Sequence, residues 1–368
     1  MKKTITVSEN SPLSDQLTVI ITTSPTPSTP ATDLIEAIIV SFQNHCPLLL
    51  TCTVIVVCDT FERIAPILRL KKGQATPEIA AAYTIYKQKL QTLILSQWNN
   101  GCSPNAIPIQ STDVAEYGSP GQTHTNTALT ISEFPGVTFI EPRDRLGFGL
   151  AVRSALRRVA TPYVWVQQHD WALDAGVPIA PILSVMRAHD ATPGAPVRYV
   201  CLPSVRMLGY ASSMLAEKHP VLRRLTAELK GDYVAQHGTV ALTPMFFWHD
   251  KTHVASTQHY LQRVFPSRLA MPRGAFIEDT IGHRARDQMK EGMFEKWATW
   301  MYYPNDGRGL CLRHLDGRMW KGVENDIVMK QEYQRMKKIT MERRIQERKQ
   351  NAKAQDQVTA SQLWTDES

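Results

Sequence analysis

Two segments near the N-terminus carry few polar residues, QLTVIITTS from Gln16 to Ser24 and TCTVIVVCDTF from Thr51 to Phe61. Runs this apolar and this rich in β-branched residues predict strands buried on both faces. Between them Leu34, Ile35, Ile38, Ile39 and Phe42 recur at helical spacing. Strand, helix, strand with almost no alternation predicts a parallel pair covered on both sides. The pattern then repeats. GVTFIEP, from Gly136, reads as a third strand, GLAVRSALRRVA as a helix opened by Gly147 and Gly149, and PYVWVQQ as a fourth strand. Between the two units, Ile79, Ala82, Tyr83, Tyr86, Leu90, Leu93 and Ile94 predict a helix from Pro77 to Trp98. Residues 99–130, rich in Asn, Gly, Ser, Pro and Thr, read as a long surface loop.

The second half is more mixed. PIAPILSVMRAHD, THVASTQHYLQRVF and EDTIGHRARDQMKEG have helical character, while VRYVCLPS and TVALTPMFFWHD have strand character. From Asp326 the chain is strongly helix-forming with few apolar anchors, and its last dozen residues read as disordered. The expected fold is therefore α/β, a mostly parallel central sheet flanked by helices, with a C-terminal helical tail. The expected organisation is a flexible N-terminus (1–15), one domain over 16–325 with halves of about 16–175 and 176–325, a basic helical extension (326–355) and a disordered end (356–368).

Charge changes this picture little. Of the formal net charge of +7 over 368 residues, Lys330 to Lys353 supplies nine Lys or Arg against three Glu. The body is near neutral, which argues against a nucleic-acid groove and leaves the tail free to touch a partner or an anionic membrane surface weakly. The six cysteines are scattered without a CxxC pair, so neither a zinc site nor a disulfide framework is expected. With no leader-like apolar region and no run of eighteen apolar residues, a cytoplasmic setting is expected.

Chemistry concentrates where the fourth strand ends, in YVWVQQHDWAL (Tyr163 to Leu173). Ligands of open α/β sheets gather beyond the carboxyl ends of parallel strands. There a carboxylate such as Asp170 suits a hard divalent cation, Mg²⁺ or Mn²⁺, which can steady a departing diphosphate. Taken alone, Gln167, Gln168, His169 and Asp170 could equally cap the strand and bond a neighbouring loop. GFG at Gly147 to Gly149 is too short for a dinucleotide fingerprint, and His249 and His253 in WHDKTH lack the Glu of a zincin, so both are read as local structure.

The order of elements through EPRDRLGFGLAVRSALRRVATPYVWVQQHD resembles the core of the GT-A glycosyltransferases, the family 2-like group in particular, over residues 17–325. The resemblance implies a GT-A fold and transfer of a sugar from a nucleotide-diphosphate donor to an acceptor hydroxyl, with inversion and a divalent cation. It matches Asp59 to the acid after strand two that contacts the nucleotide. Asp170 matches the second acid of the Asp-x-Asp motif, the metal ligand, and Gln168 stands where the first acid belongs. It further implies Thr22, Arg145, Gln168, His169, Trp171 and Arg313 as donor contacts, and His314 of LCLRHLDGR as a second metal ligand, with Arg313 and Arg318 beside the diphosphate. In GAFIEDTIGH, Asp279 would be the base and Glu278 would orient it or the acceptor. The nucleotide, the sugar and the acceptor, whether glycan, lipid or protein, stay open. The alternative is a degenerate, non-catalytic domain of this fold acting as a scaffold through its basic helix.

Overall fold

A computed structural model of the chain describes residues 11–98, 107–122, 124–320 and 323–365. Helix α1 (Leu13–Gln16) leads into β1 (Leu17–Thr23), α2 (Asp33–His45) and β2 (Thr53–Cys58). A surface excursion holds β3 (Arg63–Ile64) and β4 (Gln74–Ala75), followed by α3 (Pro77–Gln97), β5 (Ile109–Glu116), β6 (Asn126–Phe134) and β7 (Val137–Pro142). Next come α4 (Phe148–Leu156), β8 (Tyr163–Gln168) and β9 (Trp171–Leu173). The second half runs α5 (Ile179–Ala188), β10 (Tyr199–Cys201), α6 (Met214–Lys218), α7 (Pro220–Leu229), β11 (Gly231–Ala235) and β12 (Gly238–Pro244). It continues with β13 (His253–Ser256), α8 (Thr257–Arg263), α9 (His283–Lys290), α10 (Phe294–Trp297), β14 (Thr299–Tyr302), α11 (Pro304–Gly307), β15 (Leu312–His314) and α12 (Val323–Thr365).

Among the described residues eleven strands form one sheet in the order β11-β12-β14-β10-β13-β8-β1-β2-β7-β6-β5. Its centre, β8-β1-β2-β7, is parallel throughout, with Thr22 opposite Gln168 and Thr23 opposite Cys58. This is the expected α/β class. All seven residues of β1 are buried, as saturated β-branched strands between two helical layers require. The α2 stripe of Leu34, Ile35, Ile38, Ile39 and Phe42 is buried as its spacing predicts, and Phe42 meets Trp165 of β8 edge to face at 6.0 Å. Trp248, Trp297 and Trp300 are core residues, each at most 1% exposed.

Three expectations change. The loop expected over 99–130 contains the antiparallel pair β5–β6; residues 99–106 and 123 lie outside the described ones. In β6 the buried residues Thr127, Leu129 and Ile131 alternate with exposed Ala128 and Thr130, while β5 is an edge strand exposed along most of its length. Its Thr and Ser residues read as loop by composition, although β-branched polar residues suit a solvated edge. The helix expected over THVASTQHYLQRVF begins as β13, and α8 starts only where Ser256 caps it by accepting from the His259 amide at 3.3 Å. Helix α12 continues through Thr365, into the stretch read as disordered; residues 1–10 and 366–368 lie outside the described ones.

One glycine fixes how α4 approaches the strand ends. Gly147, its N-cap, has φ +79°, and a Cβ there would lie 2.5 Å from Gly274 Cα. Gly147→Ala is therefore expected to cost roughly 2–3 kcal/mol, read as a lower urea midpoint. The same substitution at Gly194, also at positive φ but with open space around it, should cost less, about 1 kcal/mol.

Candidate active site

The carboxyl ends of β1, β2 and β8 open into a cleft lined by Thr22, Asp59, Arg145, Gln168, His169, Asp170 and Arg318. It continues past Trp171, Asp250, Lys251, Glu278, Asp279, Arg313 and His314 to the inner face of α12. All the candidate residues predicted from sequence thus line one continuous depression.

The polar strand end divides into two jobs. Gln167 is fully buried and structural: its Oε1 accepts from Trp165 Nε1 at 3.1 Å and Thr252 Oγ1 at 3.2 Å. Its Nε2 donates to the carbonyls of Gln168, at 3.1 Å, and Trp171. That amide ties the turn from Gln168 to Trp171 and sends the next three side chains to the cleft. Gln168 Nε2 donates to the Asp250 carbonyl at 2.9 Å.

His169 is held by its Nδ1, which accepts from the Ser24 amide at 3.2 Å and lies 3.1 Å from Thr23 Oγ1. Thr23 in turn lies 2.6 Å from the Tyr86 hydroxyl. An Nδ1 that accepts from an amide leaves the ring proton on Nε2, on the cleft side. Burial pulls the His169 pKa down, so the ring is a neutral donor.

Asp170 and His314 meet. The antiparallel pair β9–β15 sets Trp171 opposite His314, their rings 4.6 Å apart, and brings His314 Nε2 to 3.3 Å from Asp170 Oδ2. His314 Nδ1 lies 3.3 Å from Asp316 Oδ1. Burial alone would push Asp170 up, but the His314 hydrogen bond and the charges of His314 and Arg318 outweigh it, and its carboxyl lies below the usual aspartate range. Burial would lower His314, yet Asp170 and Asp316 raise it. Asp170 Oδ1 is buried and has no hydrogen-bond partner. Gly317 is pressed against Asp170 and His169: a Cβ there would lie 3.0 Å from both Asp170 Cβ and His169 Nε2.

Asp59 lines the cleft but is anchored. Its two carboxylate oxygens accept from the Leu146 amide at 2.7 Å and the Gly147 amide at 2.8 Å, and burial raises its pKa. The acid after strand two thus fixes the start of α4. Arg145 crosses the cleft floor between Gly73 and Gly274; a Cβ at Gly73 would lie 2.7 Å from its Cδ.

On the opposite side, Glu278 and Asp279 open a π-helical turn, Glu278–Gly282, that runs into α9. Such turns recur at functional sites because they re-aim side chains. Gly282 allows it, since a Cβ there would lie 2.4 Å from the Phe247 ring and 2.8 Å from the Trp248 carbonyl. The close approach brings up WHDK, whose histidine is expected from sequence to be local structure only. His249 Nδ1 lies 3.4 Å from Glu278 Oε2, the Asp250 amide donates to Glu278 Oε2 at 3.4 Å, and Asp250 Oδ1 accepts from the Glu278 amide at 3.3 Å. Asp250 is 3% exposed, its Oδ2 is unpartnered, and burial beside Glu278 raises its pKa well above the usual range. No local motif marks Asp250; only the crossing of β13 beside β8 brings it here. His253, by contrast, is a core residue that stacks on Tyr199 at 4.6 Å.

The His249 hydrogen bond holds Glu278 down to about 2. A depressed carboxylate contributes stability above its unfolded pKa, about 4.3, that is lost as pH falls toward the folded value. Glu278 is 38% exposed, so the contribution is under about 1 kcal/mol. Glu278→Gln is expected to lower the urea midpoint slightly at pH 6 and to lose that difference between about pH 4.3 and 2.

Asp170 and His314 form the candidate metal centre. Among the described residues no group of three His, Cys, Asp or Glu is arranged around one point. A carboxylate with an orphaned oxygen fits a hard cation that takes its remaining oxygens from a diphosphate and water, and the adjacent imidazole would join it on releasing its Nε2 proton.

No protein-family model matches the chain, and no curated protein matches it. Among solved structures it is similar to the mannosyltransferase PcManGT from Pyrobaculum calidifontis in complex with GDP-Man and Mn²⁺. The identity is 14% and the TM-score 0.39, over 87% of this chain and 62% of that one. It is also similar to glucosyl-3-phosphoglycerate synthase from Mycobacterium tuberculosis in complex with Mn²⁺, UDP and glucosyl-3-phosphoglycerate. There the identity is 13% and the TM-score 0.32, over 78% and 70% of the two chains. The chain thus spans less than two thirds of the mannosyltransferase's length, and what its site can do is read from its own residues.

Proposed function

We propose that the chain is a GT-A-type glycosyltransferase that moves a sugar from a nucleotide-diphosphate donor to an acceptor hydroxyl, with inversion, in the cytoplasm. The observation that carries this is the Asp170–His314 pair, with its orphaned carboxylate oxygen, in one cleft with the Glu278–Asp279 turn. A cation on Asp170 and His314 would neutralise charge on the departing diphosphate. His169 Nε2–H and Arg318 would bond diphosphate oxygens, and Arg145 and Thr22 line the same end. Trp171, packed on His314 and under Lys251 at 5.9 Å, offers an aromatic face to the sugar. Gln168 would contact the donor through its side-chain Oε1, and Asp59 through the α4 turn it fixes. Arg313 would secure the β15 side of the diphosphate. Asp279, exposed at the acceptor side, would take the acceptor proton, and Glu278, fixed by His249 and Asp250, would orient the acceptor.

The test is calorimetric binding of UDP and GDP with and without Mn²⁺. Metal-dependent binding of one of them supports the reading and names the donor class. Binding of neither would leave the second reading, a scaffold acting through α12, which Gln168 in place of an acid favours. Among the described residues no helix is long and apolar enough to cross a membrane.

A further inference from the structure

Helix α12 is docked on the site. The Tyr333 hydroxyl donates to the Leu312 carbonyl at 2.8 Å and accepts from the Val205 amide at 3.3 Å, and Gln334 Nε2 donates to Asp174 Oδ2 at 3.2 Å. Leu312 belongs to the strand that carries His314, so these bonds fix the rotation of α12 relative to the candidate metal centre. Met329, Tyr333, Met336, Thr340 and Arg344 lie three or four residues apart and all line the cleft. At 1.5 Å per residue that face runs about 22 Å.

The strand-end side of the cleft mixes acids and bases, Asp170, Glu278 and Asp279 with Lys251, Arg313 and Arg318, whereas Arg206, Arg343 and Arg344 stand on the side of α12. Arg206 lies in the turn Val205–Met207 that packs against the helix. The acid on this face, Glu332, is paired with Arg335 at 3.2 Å, and Arg343 is held loosely by Glu347 at 3.6 Å. Arg344 Nε is buried without a hydrogen-bond partner. A desolvated guanidinium N–H is costly until an acceptor meets it, and an oxyanion is the acceptor its fork geometry suits.

We propose that the acceptor carries, besides the hydroxyl it offers to Asp279, a phosphate ester seated on the α12 wall by Arg206, Arg343 and Arg344. Met329 and Met336 cover the portion between. This rests on the glycosyl-transfer reading and assigns the basic extension to substrate recognition.

The test uses the full chain, with UDP or GDP filling the donor end, and follows tryptophan fluorescence, since Trp171 and Trp320 line the cleft. The probes are glycerol 3-phosphate against glycerol, and phosphatidylcholine vesicles with and without phosphatidylinositol. The variants are Arg343→Gln with Arg344→Gln, both replacements being good helix formers, and Arg206→Gln on a separate element. One anionic probe is expected to bind the wild type, and about tenfold more weakly each variant, while nucleotide affinity stays unchanged. Binding of the soluble ester assigns a soluble acceptor, and binding of the doped vesicles assigns a lipid headgroup. Equal affinity in wild type and variants, or preference for neither anionic probe over its neutral counterpart, overturns the proposal. If neither nucleotide binds, the glycosyl-transfer reading fails, and the same probes without nucleotide still decide whether the α12 wall takes an anion.

Discussion

Asp170→Ala is expected to abolish Mn²⁺-dependent binding of the nucleotide diphosphate while leaving the fold intact. The carboxylate is one of two protein donors in the candidate centre, and its Oδ1 is the buried atom without a partner. A buried, ionised oxygen with nothing to accept from is unfavourable unless a ligand completes it. Removing the side chain deletes both that oxygen and the pairing with His314. The loss should be at least about 100-fold in nucleotide affinity measured with Mn²⁺, and small without it. The turn should survive, because it is held by backbone and by Gln167: the Leu315 amide donates to the Asp170 carbonyl at 2.7 Å, and Gln167 ties Gln168 and Trp171. Calorimetry of both proteins with and without Mn²⁺ checks this. Nucleotide affinity equally metal-dependent in wild type and Asp170→Ala would remove Asp170 from the metal centre.

The parts of this site that sequence reveals are those carried by short segments. The ends of β1, β2 and β8 are legible because saturated strands stop at their first polar residues, while in the sequence His314 is tied to Asp170 only by the family resemblance. What the sequence conceals is non-local. Gln167 and Asp170 look alike in QQHD, yet one knits the turn and the other faces the cleft, a difference set by Trp165 and Thr252 behind the strand. Asp59, expected at the nucleotide, has both oxygens on backbone amides. His249 and Asp250 enter the site because Gly282 lets the π turn settle on Phe247 and Trp248, a contact between segments some thirty residues apart. The β5–β6 pair escapes notice because an edge strand needs no apolar face. Helix α12 reads as a solvated charged tail because its composition is that of one, yet its Tyr333 bonds to backbone of both β15 and the turn Val205–Met207.

Asp279→Asn should separate binding from chemistry. Glu278 and Asp279 are adjacent, yet the structure treats them differently. Glu278 is bound to His249 and the Asp250 amide, which hold it at about 2 and commit it to the ionised, hydrogen-bonded form. A carboxylate so stabilised is a weak base, because proton affinity and base strength are the same quantity. Asp279 is exposed to the cleft one residue on, where the π turn re-aims it. The amide of Asn fills the same space and cannot accept the proton, so nucleotide binding should stay within about twofold of wild type while transfer falls by about 10² to 10⁴, the usual contribution of a positioned general base. Glu278→Gln, keeping shape but losing the charge that faces His249, should instead raise the acceptor KM with a smaller fall in kcat. If the effects are exchanged, with Glu278→Gln abolishing turnover and Asp279→Asn raising only the acceptor KM, the roles are reversed. The Glu278 carboxylate would then be the proton acceptor, with His249 Nδ1–H holding it in place.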